Sequence, residues 1–115
     1  MITLSITTAV DESIENDWLD YMKTEHISLL MKTELFKDFR LVRIIPGQGV
    51  DLSYNLQLRL EGHKELNEFR SKHEATFVNL EGKRFGGKYA VFHSVLDFLT
   101  IESPIYDEDM SIFKN

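Results

Sequence analysis

A chain of 115 residues with 43% hydrophobic and 28% charged residues has the size and balance of one globular domain that can bury a core without covalent staples. Its lack of cysteine excludes disulfides, thiolate metal sites and a cysteine nucleophile. Its net charge of −6 disfavours nucleic acid and anionic membrane as partners, because both need a cationic footprint that releases counterions.

The N-terminal segment alternates apolar Ile2, Leu4 and Ile6 with polar Thr3, Ser5 and Thr7, the period of two that marks a strand with one apolar side. It lacks the basic start of a signal peptide. No apolar run nears the roughly 18 residues needed to span a bilayer, so a cytoplasmic location is expected. Asp11 offers a helix N-cap, with Glu12 and Glu15 where the helix dipole favours negative charge. Ile14, Trp18, Tyr21, Met22, Glu25, His26, Leu29 and Leu30 then recur at intervals of three and four, which predicts one helical stripe over residues 18–36. Glu25 or His26 is a candidate break between a longer and a shorter helix.

Residues 39–45 carry apolar side chains at both parities, Phe39, Leu41 and Ile45 against Val42 and Ile44. That suggests a strand buried on two sides or lying at an interface. Pro46, Gly47 and Gly49 mark a turn, after which Leu52, Tyr54, Leu56, Leu58 and Leu60 share one strand face and Ser53, Asn55, Gln57 and Arg59 the other. A hairpin over 39–61 follows. Leu66, Phe69, His73, Phe77 and Leu80 form a second helical stripe, and Gly82 is its expected stop. The last strand, residues 89–101, again has both parities apolar: Tyr89, Val91, Val95, Leu99 and Ile101 oppose Ala90, Phe92, Leu96 and Phe98.

The order β-α-β-β-α-β is the split βαβ, ferredoxin-like arrangement, an α+β fold with a four-stranded antiparallel sheet and two helices on one face. Residues 1–101 make that domain. Residues 102–115 read as an acidic tail, with Glu102, Asp107, Glu108 and Asp109 against Lys114. Helices over the leucine row leave the opposite sheet face uncovered, polar on its central strands and apolar on its outer ones. Such a patch marks an interaction surface, and a homodimer formed sheet to sheet is expected.

Three segments carry a family resemblance: WLDYM with EHI at 18–27, FRSKH at 69–73, and KRFGGKYAVFHSVLDFL at 83–99. They resemble the DUF4286 family, small proteins of the dimeric α/β-barrel, ferredoxin-like superfamily, over nearly the whole chain to residue 100. Where the family pattern sets a proline after each helical histidine, Ser28 and Ala75 stand here. The resemblance implies the fold and the dimer. Superfamily relatives include cofactor-free monooxygenases, haem-dependent enzymes and plain binders of small ligands, and fold alone does not choose among them.

His26 and His73 are the sharpest chemical feature, since each lies on an apolar helical stripe where a buried imidazole can act as a base or ligand. The expected site is a small, partly apolar ligand pocket between helices and sheet, with Trp18, Met22, Phe69 and Tyr54 as walls and the two histidines as polar groups. The commoner role of such a histidine is a hydrogen-bonded core residue. Two histidines are an incomplete metal site without a third ligand such as Glu25 or Asp97, so neither a metal nor another cofactor is expected. A cofactor-independent or haem-dependent oxidoreductase is the alternative, and a structural or protein-interaction module is a third. Lys83, Arg84 and Lys88 around Gly86 and Gly87 read as a solvated charge run. No catalytic triad, phosphate loop or dinucleotide fingerprint is present.

Overall fold

The computed structural model describes residues 1–45, 52–97 and 99. The turn read at 46–49 and the tail at 102–115 lie outside them, as do Phe98 and Ile101 of the last predicted strand. The described residues form β1 (Ile2–Val10), α1 (Glu15–Tyr21), α2 (Ile27–Lys32), β2 (Asp38–Ile44), β3 (Leu52–Leu60), α3 (His63–Lys72), α4 (Glu74–Phe85) and β4 (Tyr89–Asp97). The strands make one antiparallel sheet in the order β2-β3-β1-β4, the ferredoxin-like topology.

The register agrees with the alternation read in the sequence. Ile2, Leu4 and Ile6 stand opposite Leu60, Leu58 and Leu56, so a slip by one residue would turn every core side chain to the wrong face. The core is closed from above by Trp18, Tyr21 and Met22, by Ile27 and Leu30, and by Leu66, Phe69, Phe77 and Phe85. Asp11 caps as expected, accepting the Ser13 amide at 2.9 Å. Its own amide donates to the Lys88 carbonyl at 2.8 Å, tying the end of β1 to the start of β4.

The first helical stripe is modified at the expected break. A π-helical turn, Met22–His26, joins α1 to α2. Buried residues step by four from Trp18 through Met22 and His26 to Leu30, and such steps run ahead of a 3.6-residue turn. The wider π turn removes that drift. As a result Ile27 is buried, whereas Glu25 and Leu29, both placed on the predicted stripe, are exposed.

The second segment departs further. It splits at His73, whose φ of −126° and ψ of −32° interrupt the helix, and then runs through Gly82 to Phe85. Gly82 is therefore not the stop; Gly86 and Gly87 are. A Cβ on Gly86 would stand 2.6 Å from the Gly82 carbonyl oxygen, and Gly87 has a φ of +83°, a conformation that disfavours side chains. At Gly82 a Cβ would meet only the Tyr89 hydroxyl at 3.7 Å. Gly86→Ala should therefore destabilise by about 2 kcal/mol, while Gly82→Ala, in a helix interior, should be neutral or gain up to about 1 kcal/mol. Urea unfolding of the two variants checks the contrast.

The face away from the helices has a polar centre and apolar margins. Asn55 donates to Ser5 Oγ at 2.8 Å and to Thr7 Oγ1 at 3.0 Å. Phe92 and Leu96 of β4 and Ile44 of β2 flank them, 63%, 48% and 40% exposed.

Candidate functional site

Beneath α4 the packing leaves a cavity of about 270 Å³. Its floor is the level of the sheet where Ile6 stands between Leu56 and His93, and Thr8 beside Val91. Met22, His26 and Leu30 line the cavity from the π turn and α2, Phe69 from α3, and Phe77 and Glu81 from α4.

Two titratable groups are deeply placed in this wall. His26 is 7% exposed, with Nδ1 3.2 Å from the Tyr21 hydroxyl and its ring edge-on to Phe77 at 5.3 Å. Burial pushes its pKa down to about 4, so the ring is neutral near neutral pH. Glu81 is 9% exposed, and its Oε2 accepts the Trp18 indole N–H at 2.9 Å. Burial raises its pKa, and the Trp18 hydrogen bond offsets only part of that. At the rim, His93 Nδ1 of β4 lies 3.7 Å from the Glu74 carboxylate of α4, each side chain about one-third exposed.

The His26 environment gives stability a direction with pH. In the unfolded chain the imidazole charges below about pH 6.5, while in the fold it resists charging until about pH 4. The unfolded state thus binds the extra proton across that window, so stability present above it is lost as pH falls through it, by about 3 kcal/mol when fully developed. His26→Phe should flatten the acid limb of the stability profile measured by urea midpoints between pH 4 and 7. An unchanged slope would place the acid loss elsewhere.

Of the residues singled out from sequence, Met22, His26 and Phe69 line the cavity, and Trp18, Tyr54 and His73 are not among its lining residues. Trp18 packs against Tyr54, ring centroids 5.2 Å apart, and its indole N–H donates to Glu81 of the cavity wall. The Tyr54 hydroxyl donates to the Glu15 carboxylate, with the Arg43 guanidinium 5.5 Å over its ring. His73 is half-buried at the helix break and stacks on Phe69 at 6.4 Å. The cavity therefore holds one of the two helical histidines, and His93, which no sequence pattern singles out, stands at its rim. A stripe that ends at Leu80 leaves Glu81 out. The spacing Phe77, Glu81, Phe85 puts an acid on the apolar face once the helix continues past Gly82.

Glu25, the suggested third metal ligand, pairs instead with Arg84 at 2.7 Å. Among the described residues no three His, Cys, Asp or Glu side chains are grouped to hold a metal. No helix among them is long and apolar enough to cross a membrane.

A family model described as a domain of unknown function, DUF4286, matches residues 1–99. No curated protein matches the chain in sequence. Among solved structures, an ethyl tert-butyl ether D (EthD) family protein from Bacillus halodurans is 13% identical, with a TM-score of 0.66 over 86% of this chain and 100% of that one. HapK from Hahella chejuensis is 10% identical with a TM-score of 0.63 over 89% and 96%. A protein from an uncultured marine organism, described as dimeric and ferredoxin-like, is 7% identical with a TM-score of 0.61 over 89% and 98%. At these identities the likeness is one of fold.

Proposed function

We propose that this chain, which belongs to the DUF4286 family, binds a small, mostly apolar molecule in the cavity under α4 and works as a homodimer. The cavity carries the reading. Its volume, about 270 Å³, sits near the lower end of the roughly 300–1,000 Å³ common for small-ligand sites. Its walls of Met22, Leu30, Phe69 and Phe77 interrupted by His26, Thr8 and Glu81 have the make-up of such sites, apolar with a few placed polar groups. Space that close packing would otherwise close costs dispersion contacts, and an occupant restores them.

The test is native mass spectrometry of the purified protein for a retained small molecule, joined to titration with naphthalene as a probe of cavity size. Ile6→Phe, on the half-buried floor, should weaken naphthalene binding at least tenfold while leaving the fold intact by circular dichroism. A wild-type protein that neither retains a molecule nor binds naphthalene would end this reading.

His26 favours a second reading, a cofactor-independent oxidoreductase in which the neutral imidazole takes a proton from the bound molecule. A base with pKa about 4 is poorly matched to proton abstraction near neutrality, so simple binding ranks first. Dimerisation is supported by the apolar margins of the helix-free face, Phe92, Leu96 and Ile44, and by the description of the marine structure as dimeric.

A further inference from the structure

We infer that the cavity selects a neutral, largely apolar molecule bearing one hydroxyl or carbonyl oxygen, and that Glu81 grips that oxygen by donating a hydrogen bond, with His26 on the other side. The inference rests on the ligand-binding reading above and names its ligand class. Glu81 and His26 are both at least nine-tenths buried and both line the cavity. Each is tied by one atom to α1 or the turn that follows it: Glu81 Oε2 accepts from Trp18, and His26 Nδ1 meets the Tyr21 hydroxyl. Among the described residues the hydrogen bonds of these two side chains use Glu81 Oε2 and His26 Nδ1, and no fully buried side-chain polar atom lacks a partner, so Glu81 Oε1 and His26 Nε2 are reachable from the open space of the cavity and free to meet an occupant.

Charge decides the class. The elements packed around Glu81 offer Trp18 and Tyr21 from α1, His26 from the π turn and Tyr89 from β4, none of them a cation near neutral pH. Arg84, on the same helix, is drawn to Glu25 at 2.7 Å and over the Tyr21 ring at 5.0 Å. At the rim, His93 Nδ1 faces the Glu74 carboxylate at 3.7 Å. A carboxylate with no cation in an apolar wall is costlier than the neutral acid, and burial acts on Glu81 in that direction. The protonated acid is a donor, and beside a neutral imidazole it accommodates an uncharged oxygen. A ligand carboxylate would add an unpaired anion to the same wall.

The experiment is titration of the full chain, followed by amide chemical shifts at pH 6, with naphthalene, naphthol, naphthoate and naphthylmethylamine. Naphthol should bind about tenfold tighter than naphthalene, the scale of one net hydrogen bond, and naphthoate at least tenfold more weakly than naphthol. Glu81→Gln should keep the preference for naphthol, because its carbonyl can take the Trp18 N–H while its amide still donates. Glu81→Met should lose the preference and keep naphthalene. Should Glu81→Met fail to fold, the carboxyl-carbon shift of Glu81 in the wild type decides: it should titrate above the ordinary carboxylate range. Equal binding of naphthol and naphthalene, or an ordinary Glu81 titration, overturns the inference and leaves the cavity reading standing. Tightest binding by the amine overturns it in favour of an ionised Glu81. Failure of every probe removes both.

Discussion

Replacing Trp18 with alanine should lower unfolding stability by about 4 kcal/mol, near the upper end for a single core truncation. Trp18 is 1% exposed and packs on the Tyr54 ring at 5.2 Å, so truncation removes a large buried area and opens a void between helix and sheet. It also removes the donor to Glu81 Oε2, which leaves a buried carboxyl group with a lost partner. A domain of this size has roughly 5–15 kcal/mol in total, so a variant near the lower bound would be partly unfolded at 37 °C. Trp18→Phe separates the two losses. Most of the aromatic packing survives and only the hydrogen bond goes, so about 1–2 kcal/mol is expected. Because that bond holds the Glu81 pKa down against burial, Trp18→Phe should also move the Glu81 titration further up. Urea midpoints give the first quantity and the Glu81 carbon shift the second. A loss under 1 kcal/mol for Trp18→Ala would mean that this side chain is not the wedge between α1, α4 and the sheet.

How far the sequence discloses this arrangement depends on whether a pattern is local. Period-two alternation in β1 and β3 disclosed the strands and their buried face, because each residue's side of the sheet follows from parity alone. The Asp11 cap was legible for the same reason: a side chain two residues from the amide it accepts leaves a short-range signature. The family membership was also legible, carried by segments spread along the chain. What was hidden depended on tertiary geometry. Gly82 looked like a helix stop because glycine commonly is one, yet the constraint that decides the stop is a Cβ–carbonyl clash at Gly86. Misplacing that end dropped Glu81 from the apolar stripe and, with it, the acid in the cavity wall. Thr8 shares the parity of Leu4 and Ile6, so a polar residue in the apolar row was visible. Its meaning was not, because the void above it exists only once α4 is laid over β1. His73 and His26 occupy equivalent stripe positions in sequence. The break at His73 leaves its ring stacked on Phe69 outside the cavity lining, a distinction that helical periodicity cannot draw.

On the opposite side of the sheet, Phe92→Asp combined with Leu96→Asp should convert the proposed dimer to a monomer, with association weakened or abolished, visible as at least a thousandfold rise in the dissociation constant. The two residues stand beside Thr7 and Thr3 of β1, at the margin of a face whose centre is occupied by the hydrogen-bonded Asn55, Ser5 and Thr7. Burying that face against a second copy would remove Phe92 and Leu96 from water, about 25 cal/mol for each Å² of apolar surface. Two carboxylates per copy would instead have to be desolvated against like charges. Both positions are exposed in the single chain, so the two substitutions together should change monomer stability by no more than about 2 kcal/mol. Loss of assembly can therefore be told from loss of fold, by sedimentation velocity beside thermal unfolding. A wild type that sediments as a monomer at tens of micromolar would remove the dimer outright. Naphthalene titration of the monomeric variant then asks whether the two faces are independent. The cavity lies on the helix side and is lined within one chain, so affinity should stay within about twofold. A larger loss would mean that β4, which carries Phe92 outward and His93 toward the cavity rim, holds its shape only when a second sheet covers it.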